Sequence, residues 1–165
     1  MKKVIVIGCP GSGKSIFSKA LHSITGFPLY HLDNLFWNAD KTSVGKTVFC
    51  ERLSEVLCQD EWIIDGNYAS TMEWRMRECD TVIFLDYPLE VCLDGIRARK
   101  GKPRSDLPWT EPEEDDAAFL AFIKSYRLQS RPRVMELLER YCDKTIKIFT
   151  TRAEAHDYLM QLTRL

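Results

Sequence analysis

The sequence predicts an α/β fold: a three-layer, doubly wound parallel sheet of five strands with helices on both faces. Two features predict it. Short apolar runs are followed by glycine or aspartate, and between these runs the apolar residues recur at helical spacing. Strands that alternate with helices form parallel sheets joined by right-handed crossovers. The predicted strands cover residues 4–8, 27–32, 61–66, 81–86 and 145–149.

The first strand leads directly into a glycine-rich loop, Gly8-Cys9-Pro10-Gly11-Ser12-Gly13-Lys14-Ser15. Glycines let a backbone take positive φ values and turn its N–H groups towards an anion. A helix that begins near Lys14 adds the partial positive charge of its N-terminus. The pattern therefore predicts a phosphate-binding loop, whereas a plain Gly-Ser turn needs neither the Lys-Ser pair nor this position.

The chemistry of such a loop assigns roles to its residues. Lys14 is expected to reach the β- and γ-phosphates of ATP, and Ser15 to place its hydroxyl on Mg²⁺. No histidine or cysteine has metal-ligand spacing, so Mg²⁺ is expected to arrive with the nucleotide. The predicted nucleotide contacts are Gly8, Cys9, Pro10, Gly11, Ser12, Gly13, Lys14, Ser15 and Phe17.

Length and composition favour a single globular domain over residues 1–165. The chain has 165 residues, of which 45% are hydrophobic and 28% charged, with a net charge of −1. This balance gives no basic surface for duplex DNA, which weighs against direct DNA binding. No apolar run is long enough for a membrane span, and no signal-peptide pattern follows Lys2-Lys3. We expect a cytoplasmic protein, either monomer or homodimer.

The six cysteines predict reduced thiols rather than a disulfide framework, because none belongs to a Cys-x-x-Cys pair. Cys9 is a special case because it lies in the predicted loop. There a helix N-terminus and Lys14 could lower its pKa and make it redox-sensitive. The alternative is that Cys9 is simply a small residue that fits.

Three aspartates follow predicted strands. Asp33 comes after the second, Asp65 closes the third and Asp86 closes the fourth. The carboxyl ends of parallel strands meet at the edge where ligands bind in such folds. Asp33 is predicted to be a substrate ligand or a base that accepts a hydroxyl proton, or alternatively a cap or turn residue. Asp86 fits a structural role as well as a functional one.

Two segments are predicted to move over this edge. Residues 34–60 combine an aromatic loop at 35–41 with a helix at 47–57 and suit a mobile flap. Residues 97–116 form a charged, proline-containing insertion after a helix that opens at Pro88. A solvated loop is the alternative, but the position favours a lid, which supplies cations and excludes water during phosphoryl transfer.

The C-terminal third contributes helices and the last strand. Apolar residues from Phe119 to Tyr141 predict a long helix bent near Pro132, with Arg127 and Arg131 four positions apart on one face. After the strand at 145–149, Thr151-x-x-Glu154 predicts a capping box for the final helix.

With these motifs in place, the chain resembles the adenylate-kinase-like P-loop kinases. It is more closely similar to the bacterial group labelled DNA topology modulation proteins (FlaR-like). The closer resemblance runs nearly end to end through the loop at 8–15 and the segments 31–37, 62–68, 84–88 and 101–106. It implies a nucleoside-monophosphate-kinase-like fold with a lid insertion.

The resemblance also implies site residues. Asp65 matches the carboxylate that holds a Mg²⁺-bound water, although it could be a strand-end turn residue. The wider kinase family follows Asp-Gly with Phe-Pro-Arg, whose arginine holds an acceptor phosphate, whereas Asn67-Tyr68 follows here. Arg75, otherwise a solvated helix residue, is the nearest arginine that could take over this contact. The implied acceptor contacts are Asp33, Trp37, Gly66, Asn67, Tyr68 and Arg75. In this set, Trp37 and Tyr68 could stack on an aromatic acceptor; alternatively, either could be an ordinary core or surface residue.

Arginines of the lid and the following helix are implied to stabilise the transferred phosphoryl group. Arg97 is a further lid candidate. The implied catalytic set is Lys14, Asp33, Arg99, Arg104, Arg127 and Arg131.

Two main functions follow. The first is an ATP- and Mg²⁺-dependent phosphotransferase acting on a nucleotide, a nucleoside or a similar small acceptor. The second, implied by the group's name, is a nucleotide-binding regulator that affects DNA topology with little or no kinase activity. A weaker third possibility is a nucleotide binder that hydrolyses ATP slowly. The absence of an Asn-Lys-x-Asp motif argues against a GTPase.

Overall fold

The five predicted strands form one parallel sheet. The computed structural model describes residues 1–109 and 116–164. The strands are Lys3–Gly8 (β1), Leu29–His31 (β2), Trp62–Asp65 (β3), Thr81–Leu85 (β4) and Thr145–Phe149 (β5). Their order is β2-β3-β1-β4-β5, and every neighbouring pair is parallel. The predicted fold class is confirmed.

Helices cover both faces of the sheet. They are Lys14–Thr25 (α1), Leu32–Phe36 (α2), Lys46–Leu57 (α3), Ala69–Glu78 (α4), Leu89–Arg99 (α5), Ala117–Gln129 (α6), Arg131–Arg140 (α7) and Arg152–Leu162 (α8). Side chains alternate across β1, so Ile5 and Ile7 pack with α3, α4 and α7, while Val4 and Val6 pack with α1, α5, α6 and α8. All four are fully buried, and each such side chain contributes about 1.5–3 kcal/mol.

The single long helix predicted across Pro132 is two helices, α6 and α7, which divide at Ser130. Ser130 N–H still donates to the Tyr126 carbonyl at 2.9 Å, and Val134 N–H donates to the Ser130 carbonyl at 3.2 Å. Pro132 lies in the first turn of α7, where a missing N–H is tolerated. Arg127 and Arg131 therefore belong to different helices.

The flap differs in one respect from the sequence-based expectation. Residues 32–36 form the short helix α2, so the loop predicted at 35–41 begins two residues later. Its aromatic residues are half-buried, because Phe36 packs edge-on against Phe49 with ring centroids 5.3 Å apart. The second predicted flap element is confirmed as α3.

The lid segment is described only in part. After α5 ends at Arg99, residues 100–109 have no regular helix or strand. The predicted acidic residues of the lid at 111 and 113–115 lie outside the described residues.

The final helix begins as predicted. Glu154 N–H donates to Thr151 Oγ1 and Thr151 N–H donates to Glu154 Oε2, each at 3.2 Å, which completes the capping box. Within residues 1–109 and 116–164, no helix is both long and apolar enough to cross a membrane.

Candidate active site

A cleft of about 1520 Å³ lies beside the predicted phosphate-binding loop. It is bounded by this loop and the start of α1, by Asp33 and Trp37, by the end of β3 and residues 66–68, by α5, by the start of α6, and by residues 103–107, 109 and 150–152. The sequence-predicted site residues that line it are Pro10, Gly11, Gly13, Lys14, Ser15, Asp33, Trp37, Asp65, Gly66, Asn67, Tyr68, Arg99 and Arg104. The fold thus brings most of the predicted site together.

The phosphate-binding loop packs directly against the backbone of α5. Gly11 has φ of 84°, and a Cβ there would lie 2.0 Å from the Cys92 carbonyl oxygen. A Cβ on Gly95 of α5 would lie 2.0 Å from the Gly11 carbonyl oxygen. Both positions therefore require glycine, and the helix backbone fixes the position of the loop.

The N-terminus of α1 is open to an anion. Its N-cap is Gly13, which supplies no capping side chain, and its first turn contains no acidic residue. The free N–H groups and the helix dipole suit a phosphate group. The half-buried Lys14 ammonium lies at this end and donates to the carbonyls of Gly8 at 2.8 Å and Cys9 at 3.2 Å. Burial lowers the pKa of Lys14, while nearby Asp65 opposes the shift.

Asn67 ties the loop to the end of β3. Its Oδ1 accepts from Gly8 N–H at 3.1 Å, and its Nδ2 donates to the Gly8 carbonyl at 2.8 Å. Both ends of the amide are therefore engaged by a single backbone residue. Asn67 lines the cleft as predicted, but its bonds fix the start of the phosphate-binding loop.

Arg75 does not line the cleft. Its side chain is fully buried, and the guanidinium donates to the carbonyls of Gly66 at 3.0 Å, Tyr68 at 3.3 Å and Asn67. Burial lowers its pKa below the usual range for arginine. Arg75 therefore stabilises the backbone of residues 66–68. It is neither at the predicted acceptor contact nor on the solvated surface of the helix.

Two carboxylates at the strand ends have different partners. Asp33 Oδ1 accepts from the Tyr68 hydroxyl at 2.6 Å, and Asp65 Oδ2 is 2.9 Å from His31 Nδ1. Burial raises the pKa of Asp33, although the Tyr68 bond and the charge of Lys14 oppose the shift. A carboxylate with a raised pKa in a cleft is a candidate general base.

Asp106 brings the lid segment onto the phosphate-binding loop. Its Oδ2 accepts from Ser15 Oγ at 2.6 Å, and its carboxylate forms an ion pair with Arg104, whose Nε lies 3.1 Å from Oδ1. Burial opposes ionisation of Asp106, but the bonds from Arg104 and Ser15 hold its pKa well below the usual range. Asp106 is therefore a charged group at the predicted Mg²⁺ ligand.

The same segment contacts the flap. Asn34 Nδ2 donates to the Ser105 carbonyl at 2.9 Å. Trp37 and Trp109 meet edge to face with ring centroids 5.5 Å apart. Residues 100–109 therefore bridge the phosphate-binding loop and the flap across the cleft.

The four predicted catalytic arginines have different surroundings. Arg99 and Arg104 line the cleft, and Arg99 lies 6.0 Å from the centre of the Phe119 ring. Arg131 does not line the cleft, because its guanidinium pairs with both carboxylate oxygens of Asp86, at 2.9 and 2.7 Å. Arg127 is exposed on α6 and also lies away from the cleft lining. The predicted phosphate-facing position is therefore not seen for Arg127 and Arg131.

Four predicted nucleotide contacts lie behind the cleft surface: Gly8, Cys9, Ser12 and Phe17. Phe17 is buried against Phe149, with ring centroids 6.2 Å apart, because α1 turns this face towards the sheet. Contact with Cys92, together with burial, raises the pKa of Cys9. This shift is opposite to the one that Lys14 alone would produce, and it favours the interpretation of Cys9 as a small residue that fits.

The oxygen donors of the cleft fit Mg²⁺. This ion prefers carboxylate, hydroxyl and phosphate oxygens, and it usually takes only one or two ligands from protein. Ser15 and Asp65, the two predicted metal contacts, both line the cleft. In the described part of the chain, no group of three or more His, Cys, Asp or Glu side chains converges on a metal position. The residues therefore suit an ion held largely by nucleotide phosphates.

Comparisons with known proteins identify the fold. No protein-family model and no curated protein sequence matches the chain. A shikimate kinase from Acinetobacter baumannii, solved in complex with shikimate, matches 99% of this chain over 92% of its own, with TM-score 0.64 and 15% identity. A shikimate kinase from Bacteroides thetaiotaomicron matches 98% of this chain over 95% of its own, with TM-score 0.55 and 18% identity.

These likenesses show that the chain has the α/β fold of the shikimate kinases. The structural superpositions establish the fold, whereas identities of 15% and 18% leave the reaction open. The narrower resemblance to the DNA topology modulation group has no counterpart in these matches.

Sequence reasoning missed three residues of the site. His31 and Asp106 belong to motifs that carried the resemblance, but no role followed from their types. Gly95 had a detectable signal, because a glycine inside an otherwise helical pattern often marks close backbone packing. Asp106 had no such sequence signal, because its contact with Ser15 spans 91 positions of sequence.

Proposed function

We propose that the chain is an ATP- and Mg²⁺-dependent phosphotransferase whose acceptor is a nucleotide, a nucleoside or a similar small molecule. The observation that carries this proposal is the size and lining of the cleft. At about 1520 Å³ it exceeds the volume of an ordinary single-ligand pocket, about 300–1,000 Å³. The phosphate-binding loop and the pair of Asp33 and Tyr68 line the same space, so donor and acceptor can meet there.

The donor half binds the triphosphate. The uncapped N-terminus of α1 and the Lys14 ammonium supply positive charge to the β- and γ-phosphates. Among the described residues, the Lys14 ammonium donates to backbone carbonyls, and a phosphate oxygen is a stronger acceptor for an ammonium group. When bound, Mg²⁺ neutralises the charge that develops on the phosphate oxygens. Ser15 and Asp65 hold the ion or its water.

The acceptor half contains a base and aromatic side chains. In the transfer step, an acceptor oxygen forms a bond to the γ-phosphorus, and the bond between that phosphorus and the ADP oxygen breaks; this oxygen is a hydroxyl in a nucleoside or similar molecule and a phosphate oxygen in a nucleoside monophosphate. With a hydroxyl acceptor, Asp33 takes the proton, and Tyr68 orients its carboxylate through the 2.6 Å bond. Trp37 provides a flat apolar wall for the acceptor.

Arg99 and Arg104 supply positive charge from α5 and the lid. Phosphoryl transfer is catalysed mostly by positioning and charge stabilisation, so two arginines at the cleft suit the reaction. We propose that residues 1–165 act as one domain, with a flap at about 34–60 and a lid at about 97–116. The contacts from Ser105 to Asn34 and from Trp109 to Trp37 support closure of these two segments on each other.

A nucleotide-binding regulator that affects DNA topology has less support, because a net charge of −1 gives no basic surface for duplex DNA. Low-salt gel shifts with duplex DNA test its direct form, and we expect no shift.

The test is ADP release from ATP and Mg²⁺ across nucleoside monophosphates, nucleosides and small hydroxylated metabolites, shikimate included. We expect one acceptor to stimulate turnover at least about tenfold. Lys14→Ala should reduce that rate at least about a hundredfold, since it removes a charge from the transition state. Lys19→Ala, which removes an exposed ammonium from the same helix and the same cleft, is the matched control and should retain the rate. Binding of ATP without stimulation by any acceptor would contradict the proposal.

A further inference from the structure

Asp106 is the charged residue that contacts the predicted Mg²⁺ ligand most directly. Its side chain is only 6% exposed, although it belongs to a segment without regular structure. It accepts the Ser15 hydroxyl proton at 2.6 Å and is held in place by its ion pair with Arg104. The carboxylate therefore has a fixed position at the cleft.

The direction of the Ser15 bond matters for metal binding. A serine hydroxyl has one proton and two lone pairs. Because the proton points to Asp106, the lone pairs of Ser15 Oγ remain available to a cation. A hydrogen bond to a carboxylate also makes Ser15 Oγ a stronger ligand for a metal ion. Hydrogen-bond partners of metal ligands generally have this effect.

The strand-end carboxylate is engaged elsewhere. Asp65, which the family resemblance implies holds a metal-bound water, has its Oδ2 2.9 Å from His31 Nδ1. Both side chains are buried at that position. Asp65 can still hold a metal-bound water through its other oxygen. The Ser15 hydroxyl, however, donates its hydrogen bond to Asp106.

The charge of Asp106 also affects the nucleotide. An aspartate paired with an arginine is ionised at neutral pH. A carboxylate next to Ser15 repels the phosphates of a metal-free nucleotide, and the repulsion is strong where little water separates the charges. A divalent cation between the carboxylate and the phosphates cancels this repulsion. The same carboxylate thus opposes the metal-free nucleotide and favours the metal complex.

We propose that Asp106 is a positioning residue of the magnesium site: it orients the Ser15 hydroxyl towards Mg²⁺ and makes nucleotide binding depend on the ion. The inference rests on the proposed function, because it requires a nucleotide in the phosphate-binding loop. It adds Asp106, a residue of the predicted lid, to a magnesium site for which the sequence analysis predicted Ser15 and Asp65.

The experiment is calorimetric titration of the full chain with ADP and with the non-hydrolysable analogue AMP-PNP, in excess Mg²⁺ and in excess EDTA. The quantity compared is the ratio of the dissociation constant in EDTA to that in Mg²⁺. Asp106→Asn keeps the size of the side chain and removes its charge, and Asp106→Ala also removes the acceptor. We expect both variants to lower this ratio about 10- to 100-fold, the usual effect of losing a partner of a metal ligand.

The matched control is Asp94→Asn. Asp94 is an exposed carboxylate in the same cleft, and its partner is Arg97 rather than the phosphate-binding loop. This variant should keep the wild-type ratio. Affinity in EDTA that is equal to or tighter than wild type shows that the Asp106 variants are folded with an intact loop.

The outcomes separate this inference from the proposed function. Wild-type binding that depends on Mg²⁺, with the same dependence in both Asp106 variants, would overturn the role of Asp106 and leave the kinase proposal intact. Tighter binding of Mg²⁺-AMP-PNP by Asp106→Asn would show an inhibitory contact and would also overturn it. No nucleotide binding by the wild-type chain would overturn both.

Discussion

Replacing Gly95 by alanine tests the contact between α5 and the phosphate-binding loop. An added Cβ would lie 2.0 Å from the Gly11 carbonyl oxygen, whereas ordinary contacts of a Cβ begin at 3.4 Å. The obstacle is backbone rather than a flexible side chain, so no rotamer change can relieve it. Loop and helix would have to separate by about 1.4 Å.

Two effects of this substitution oppose each other. Alanine is a better helix former than glycine by about 1 kcal/mol, which would raise the free energy of unfolding. Overpacking a close contact costs about 1–3 kcal/mol, and a backbone obstacle favours the upper end. We expect the free energy of unfolding to fall by about 1–2 kcal/mol. A loop displaced by more than 1 Å should also reduce acceptor-stimulated turnover about a hundredfold.

The assay is urea unfolding monitored by tryptophan fluorescence, together with ADP release. Asp94→Ala is the matched control, because this exposed neighbour also gains helix propensity but does not meet the loop. It should retain wild-type stability and turnover. A Gly95→Ala variant that is more stable than wild type and equally active would refute the close contact.

Three further predictions concern single side chains. Asp33→Asn should raise the melting temperature at about pH 8, because burial raises the pKa of Asp33 and its ionised form therefore opposes folding; the gain should shrink as the pH falls towards about 4, because proton uptake by the wild-type carboxyl removes that cost. An equal gain in melting temperature at both pH values would contradict the expected pH dependence. Asn67→Ala leaves the N–H of Gly8 without its side-chain partner and leaves the Gly8 carbonyl to Lys14, so urea unfolding should show a loss of about 1–3 kcal/mol in the free energy of unfolding; an unchanged midpoint would exclude a stabilising role for the two Asn67 bonds. In mass-spectrometric counting of iodoacetamide adducts on the native chain, exposed Cys58 should react well before buried Cys9, and the reverse order would show an activated thiol in the loop.

The local parts of the site were predictable from sequence. Strand β1, the glycine-rich loop and the start of α1 follow one another directly, so Lys14 and Ser15 could be assigned without any tertiary contact. The positions of Asp33 and Asp65 followed from one further rule, that parallel strands end at the same edge. These residues do line one cleft.

The direction of a helix side chain was harder to predict. Arg75 falls three positions after Met72 and one before Met76, and all three share the buried face of α4. The helical pattern therefore contained a signal for the burial of Arg75. The charge of the guanidinium suggested solvent or ligand, whereas three backbone carbonyls of residues 66–68 satisfy it inside the protein.

Long-range partners left no local pattern. The pairing of Arg131 with Asp86 spans 45 positions, and that of Ser15 with Asp106 spans 91. A one-residue break at Ser130 placed Arg127 and Arg131 on separate helices, which a spacing rule for a continuous helix cannot anticipate. Such contacts depend on how the lid and helices fold back over the sheet.

The most direct test of the central claim is to follow the γ-phosphate itself by ³¹P NMR, with ATP, Mg²⁺ and the acceptor that most stimulates ADP release. The proposed function predicts a new resonance from the phosphorylated acceptor, a phosphate ester if the acceptor group is a hydroxyl or a diphosphate if it is a nucleoside monophosphate, that grows as fast as ADP and disappears with Lys14→Ala. Growth of inorganic phosphate alone would contradict the claim, because it would show that the γ-phosphoryl group passes to water.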